Sequence, residues 1–209
     1  MIWEGAGNGS LNAFIGDVEG HGADAGFVAV ALMAALHSQN LGNCAEGLKD
    51  LNTLLYEDSA HMPLCTGLLL NLRKDGFLCV ASAGHIPLLW MHGDGTVDTL
   101  PAEHGPPLGA FRDVPELSCT PAQMQPGDRL LLLTDGLLER RHTGSSTLVL
   151  PNPVREAVFR AAGTDSLQED VDTLWSMLTA MVGPSTPEDD QTMLLIEYSG
   201  SVAANGASE

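Results

Sequence analysis

An α+β layered domain, antiparallel sheet with helices packed outside it, is the fold class this sequence predicts. Three observations carry it. Strand-like runs joined by short turns dominate the middle of the chain. Two helical stretches precede those runs and one follows, so strands and helices do not alternate as in a parallel doubly wound sheet. A chain of 209 residues that is 44% hydrophobic is also large enough to bury a real core as one domain.

The elements follow in chain order. Asn12 to Ile15 reads as a strand. From Asp24 to Gln39 the apolar positions are dense and Gly42 is a stop, which predicts a mostly buried helix. Leu48, Leu51, Leu54 and Leu55 recur at helical spacing, so Cys44 to Ser59 is a second helix. "TGLLLNLRKDGFLCVASAG" is two strands joined at "RKDG", and "PLLWMHGDGTVDTL" repeats that form around "GDG". Glu103 to Gln125 holds six prolines and glycines and reads as a loop, with one short strand at Glu116 to Thr120. "GDRLLLLTDGLLE" is a turn, an apolar strand and an acidic tip. "RRHTGSSTLVLPNP" reads as a polar, mobile segment. Asp170 to Val182 is an amphipathic helix, and "GPSTPEDDQTMLLIEY" is a loop, an acidic pair and a final strand. "SGSVAANGASE" reads as a disordered tail. The expectation is a domain over 1–198 and a flexible tail over 199–209. The opening "MIWEGAGNGS" starts mid-pattern, as in a domain whose N-terminus is truncated or continues a longer protein.

Charge and composition exclude several functions. With 27 acidic against 9 basic residues the net charge is -18, which repels nucleic acid and anionic membranes. The longest apolar stretch, Ala25 to Leu36, falls short of the roughly 20 residues a membrane span needs. Cys44, Cys65, Cys79 and Cys119 form no CxxC pair and follow no signal peptide. They read as buried or free thiols in a reducing cytoplasm.

The chemistry is carried by acids at strand ends. Asp17 follows "AFIG", Asp135 follows "LLLLT", and Asp189 and Asp190 precede "QTMLLIEY". A buried strand seldom ends on a charge without a reason, although a solvated cap or turn explains any one of them. If all three places meet at one sheet rim, their carboxylates repel and call for a cation. Carboxylates without a His or Cys ligand set favour Mg2+ or Mn2+. Two such ions polarise a phosphoryl group and activate a water. No GxSxG, HExxH or GxxxxGK[ST] motif is present, which argues against covalent catalysis.

Five stretches, "GDVEGHGADAG", "LLLNLRKDGFLCVASAGHIPLLWM", "GPPLG", "GDRLLLLTDGLLE" and "DDQTMLLIE", stand in this order over roughly residues 12 to 198. Together they resemble the PPM (type 2C-like) metal-dependent protein phosphatases, in their bacterial SpoIIE/RsbU-like branch. The resemblance implies an α-β-β-α sandwich of two antiparallel sheets flanked by helices, and a site for two Mn2+ or Mg2+ ions. It implies Asp17 as the residue bridging both metals, the Val18 carbonyl as a further ligand, and Asp135 and Asp189 on the second metal. Asp190 becomes a neighbour. The implied reaction is hydrolysis of phosphoserine or phosphothreonine on a bacterial signalling protein, such as a STAS-type anti-sigma-factor antagonist, in the cytoplasm. The helices in 24–59 are implied as a switch and homodimer contact. The family's upstream GGD motif is absent here, and Glu4 is the sole acid before Asp17. The alternative is therefore a PPM-fold pseudophosphatase or binding module with weak or absent turnover.

Other residues keep two readings. His21 is a metal ligand, a general acid or, preferentially, a scaffold of its loop through a bond to backbone. His85 lines the site or sits in an ordinary turn. Thr134 and Thr192 bond the acidic ligands or are β-branched filler. Arg140 and Arg141 contact substrate phosphate or form surface ion pairs.

Overall fold

A computed structural model describes residues 2–7, 9–38, 43–57, 63–101, 105–142, 145–148, 156, 159–160, 166–182 and 189–200, with backbone alone for 2–7, 139–142, 145–148 and 182. The elements are β1 (Ile2–Gly7), β2 (Ser10–Val18), α1 (Ala23–Ser38), α2 (Cys44–Glu57), β3 (Cys65–Arg73), β4 (Phe77–Ala83), β5 (Leu88–Met91), β6 (Val97–Leu100), β7 (Thr120–Gln123), β8 (Arg129–Leu133), β9 (Glu139–His142), β10 (Ser145–Leu148), α3 (Leu167–Val182) and β11 (Met193–Glu197). One sheet runs β1-β2-β3-β4-β7 and a second runs β11-β8-β5-β6, every pair antiparallel. The predicted α-β-β-α sandwich is the observed fold.

Side-chain alternation along the strands builds the layers. In β2, Phe14 enters the layer under α1 and α2, while Ala13 and Ile15 enter the layer between the sheets. In β4, Cys79, Ala81 and Ala83 face the helices, and Leu78 and Val80 face the second sheet. In β8, Leu130 and Leu132 face the first sheet, whereas Leu131 and Leu133 pack with Leu174 and Leu178 of α3. Strands buried on both faces read as the continuous apolar runs "LLLNL" and "LLLL" for this reason.

Several elements differ from the sequence-based expectation. β2 is longer than Asn12 to Ile15, and it pairs with β1, which was not expected, in register Gly7↔Ser10. "Asn-Gly" between them is a two-residue hairpin signal hidden among small residues, with Gly9 at φ +79. The short strand of the long loop is Thr120–Gln123, starting where the expected Glu116 to Thr120 would end, because it pairs with β4 at Phe77↔Gln123. Residues 139–142 and 145–148 pair as two antiparallel strands where a mobile segment was expected, and 143–144 and 149–153 of that segment lie outside the described residues. Gly42, Ser59 and most of the tail (201–209) lie outside the described residues.

α1 is not mostly buried. Val28, Leu32 and Leu36 form one buried stripe, while Phe27 is 63% and Val30 68% exposed. The helix is apolar all round, so its sequence does not say which side meets the sheet. α2 covers the sheet more fully, through Cys44, Leu48, Leu51 and Leu55. Its buried Asn52 holds the long loop, accepting from Gly109 N at 2.9 Å and donating to Phe111 O at 3.0 Å. A comparable hub is Asp128, which accepts from Trp90 Nε1, Gly93 N and Gln125 N.

The cysteine expectation is corrected in part. Cys79 and Cys119 are joined by a disulfide, because β4 and the loop entering β7 bring their Cα atoms to 5.9 Å. Cys44 and Cys65 are free and buried. Among the described residues no helix is long and apolar enough to cross a membrane.

Candidate active site

Antiparallel pairing gathers the acids. β11 starts where β8 ends, at Met193↔Leu133, so the residues before β11 lie beside those after β8. Asp135 opens a 3-10 turn (Asp135–Leu137) directly beyond β8, and Asp189 and Asp190 precede β11. Asp17 lies near the end of β2 in the facing sheet, and it continues the Ala13, Ile15 face between the sheets. Val18 follows it, in register with Cys65. Beyond them the chain turns through Gly20 (φ +84) and Gly22 (φ +92) into α1, the left-handed backbone expected of those glycines.

The electrostatics show the convergence. Asp17 is pushed up from 3.8 to about 6, first by burial, then by the carboxylates of Asp135 and Asp189, with Asp190 contributing less. Four acids from two sheets thus share one rim. Oδ1 of Asp135 is buried with no hydrogen-bond donor against it among the described residues. The donor set is hard oxygen, and its members repel one another unless a cation is shared, so it fits Mg2+ or Mn2+. A soft atom also stands close. The Cys65 thiol is pushed up to about 12, first by burial and then by the Asp17 carboxylate. Sequence reasoning missed this neighbour, because only the register Val18↔Cys65 places it there.

The turn carrying Asp189 is held from β8. Thr134 Oγ1 donates to Asp190 O at 3.0 Å and accepts from Thr192 N at 2.9 Å, and Thr134 N donates to Thr192 O. Asp190 N donates to Asp189 Oδ1 at 2.9 Å. Gln191 Nε2 reaches Gly136 O at 3.0 Å. Thr134 therefore positions the loop, while Thr192 contributes only backbone atoms to these bonds.

His85 is neither an open site residue nor an ordinary turn residue. It is 4% exposed and spans the two sheets behind the acids. Its Nε2 lies 3.1 Å from Leu133 O, and its Nδ1 lies 2.9 Å from the hydroxyl of Thr66, the register partner of Asp17. A carbonyl only accepts, so Nε2 carries the proton and Nδ1 accepts from Thr66. Burial pulls the ring down from 6.5 to about 4. A depressed histidine stabilises the fold fully above 6.5, and that contribution is lost as pH falls through about 4. The expected result is a loss of up to about 3 kcal/mol across this window. His85→Ala should cost about 2–4 kcal/mol at neutral pH and flatten that part of the profile. Melting curves against pH check it, and an unchanged slope in the variant refutes the assignment.

His21 does not bond backbone as expected. It is exposed and makes no hydrogen bond among the described residues. The side chains of Arg140 and Arg141 lie outside the described residues.

The family described as Stage II sporulation protein E (SpoIIE) matches residues 7–199. No curated protein matches the chain in sequence. Among solved structures, the SiaA-PP2C domain of Pseudomonas aeruginosa superposes with TM-score 0.78 at 18% identity, over 94% of this chain and 79% of that one. The PP2C phosphatase domain of SpoIIE from Bacillus subtilis, with a fragment of its regulatory domain, gives 0.72 at 19%, over 94% of this chain and 57% of that one. RsbX in complex with magnesium gives 0.68 at 16%, over 93% and 84%. This chain thus spans little more than half of the SpoIIE chain. At these identities the structural likenesses establish the fold, and the family match establishes the kinship.

Proposed function

The chain belongs to the SpoIIE/RsbU-like branch of the PPM phosphatase family, and from that premise we propose that it is a Mn2+- or Mg2+-dependent serine/threonine phosphatase. The observation that carries this reading is that the carboxylates of Asp135 and Asp189, from the other sheet, help to push Asp17 up to about 6 at one rim. In this reading Asp17, Asp135, Asp189 and the Val18 carbonyl hold two ions. Bound there, the ions would supply Lewis-acid polarisation of a phosphoryl oxygen and a water of lowered pKa. The chain's own contribution is positional. Thr134 fixes the turn that presents Asp189, and His85 ties the rim of one sheet to the other. Both keep the acids in place without substrate contact.

The proposed substrate is a phosphoserine or phosphothreonine on a signalling protein, a STAS-type anti-sigma-factor antagonist being the class the family suggests. A cytoplasmic setting and a catalytic domain over 1–198 belong to the same reading. Exposed Phe27 and Val30 on α1 support a homodimer contact through the helices in 24–59.

The test is hydrolysis of p-nitrophenyl phosphate and of a phosphoserine-bearing STAS domain by the full chain, with Mn2+ and after chelation. Turnover that appears with Mn2+ and vanishes on chelation is expected. A folded chain that binds Mn2+ calorimetrically and releases no phosphate would move the reading to a binding module. Absent Mn2+ binding at millimolar metal would remove the metal site as well.

A further inference from the structure

Away from the acidic rim, three sulfurs meet in the apolar layer between α2 and the first sheet. The Sγ atoms of Cys44, Cys79 and Cys119 all lie within 4.8 Å of one another. They arrive from separate elements: Cys44 is the first residue of α2, Cys79 lies in β4 on its helix-facing side, and Cys119 immediately precedes β7. Cys79 and Cys119 share the disulfide, and the Cys44 thiol donates to the Cys79 carbonyl at 3.2 Å. A staple between β4 and the loop needs two sulfurs. Packing explains a third only as a small apolar filler. Neither role requires all three at one point.

We propose that, when the Cys79–Cys119 bond is reduced, Cys44, Cys79 and Cys119 form a three-sulfur site for Cu+. A dithiol supplies the two electrons and two protons: the S–S bond breaks, two S–H bonds form, and the dithiol closes to its own disulfide. The ion then displaces thiol protons, which pass to solvent. Sulfur ligands select soft ions over the Mg2+ and Mn2+ suited to the acidic rim. Zn2+ is normally held by four ligands, and the group contains three cysteines and no His, Asp or Glu among the described residues. Cu+, stable under the reducing conditions that open the disulfide and satisfied by fewer ligands, matches that set. Burial pushes the Cys44 thiol up to about 12, so proton displacement is uphill and affinity falls as pH falls. Oxidation closes the site, because Cys79 and Cys119 then spend their valence on each other. The inference does not depend on the phosphatase reading.

The full chain is reduced anaerobically with a dithiol, freed of it, and titrated with Cu+ against a chromogenic Cu+ chelator. One tightly held Cu+ per chain is expected, with only sulfur neighbours by X-ray absorption. Cys44→Ser and Cys119→Ser should each weaken binding by more than about 10-fold, and Cys65→Ser should leave it unchanged. The air-oxidised chain should not bind. Melting curves report whether each variant folds, and the wild-type absorption spectrum decides the ligand atoms without any variant. Oxygen or nitrogen neighbours, equal binding by the oxidised chain, unchanged binding in folded Cys44→Ser and Cys119→Ser, or loss through Cys65→Ser alone overturns the proposal.

Discussion

Asp17→Asn is expected to lower Mn2+-dependent hydrolysis of p-nitrophenyl phosphate by more than about 100-fold, because losing even an outer partner of a metal ligand costs 10–100-fold. The same change should stabilise the metal-free protein. Asp17 is raised to about 6 by burial and by Asp135 and Asp189, so the folded chain holds a charge it disfavours. A raised acid contributes stability that is present below its unfolded value of 3.8 and lost as pH rises through about 6. Asn has no charge to disfavour. After discounting for the half-exposed position, the gain at neutral pH is roughly 1 kcal/mol. The pH profile sharpens the test. His85 makes the fold gain stability between pH 4 and 6.5, and Asp17 makes it lose stability over nearly the same range. Removing the Asp17 charge should steepen the net rise seen in melting curves. Full activity in the variant, or a metal-free protein less stable than wild type at pH 7, would sink both the ligand role and the electrostatic account.

Gly136→Ala is expected to weaken Mn2+ binding by about 10- to 100-fold while the protein stays folded. A Cβ on Gly136 would stand 2.5 Å from Asp190 O, 3.1 Å from Asp190 C and 3.3 Å from Asp189 O. These are backbone atoms, so the clash cannot be relieved by a rotamer change. The turn bearing Asp189 must move instead, and Thr134 Oγ1, bound to that same Asp190 carbonyl, must follow or let go. The displacement acts on a metal ligand through its backbone and removes no carboxylate from the chain. Calorimetric titration with Mn2+ measures it, alongside a melting curve. Wild-type affinity in Gly136→Ala would show that Asp189 is not needed for the metal, or that the turn yields freely.

The acids of the site were legible one by one, since each ends or begins an apolar strand run and a charge there is conspicuous. The fold class was legible from hairpins, whose turn chemistry is local. Other features left weaker traces. β1 was hidden because its small residues carry no alternation, although "Asn-Gly" marked the turn. The exposed side of α1 was unreadable because Phe27, Val30 and Leu32 look equally apolar in sequence. Asn52 and Asp128 gave no sign that they anchor loops, since a polar residue acquires a role only from the backbone groups brought to it.

What the sequence by itself determined was the three helices, the strands of the central hairpins and the strands beside the acids, the strand-end acids and their hard-oxygen chemistry. These follow from nearest-neighbour physics: alternation, helical period and turn residues. Only the tertiary structure decided that Asp17 of one sheet faces Asp135 and Asp189 of the other, that His85 spans them, and that three cysteines share one point. Those are contacts between elements distant along the chain. They arise because antiparallel pairing sets β11 beside β8 and apolar burial stacks one sheet on the other. No local pattern encodes which rims such a stacking brings together.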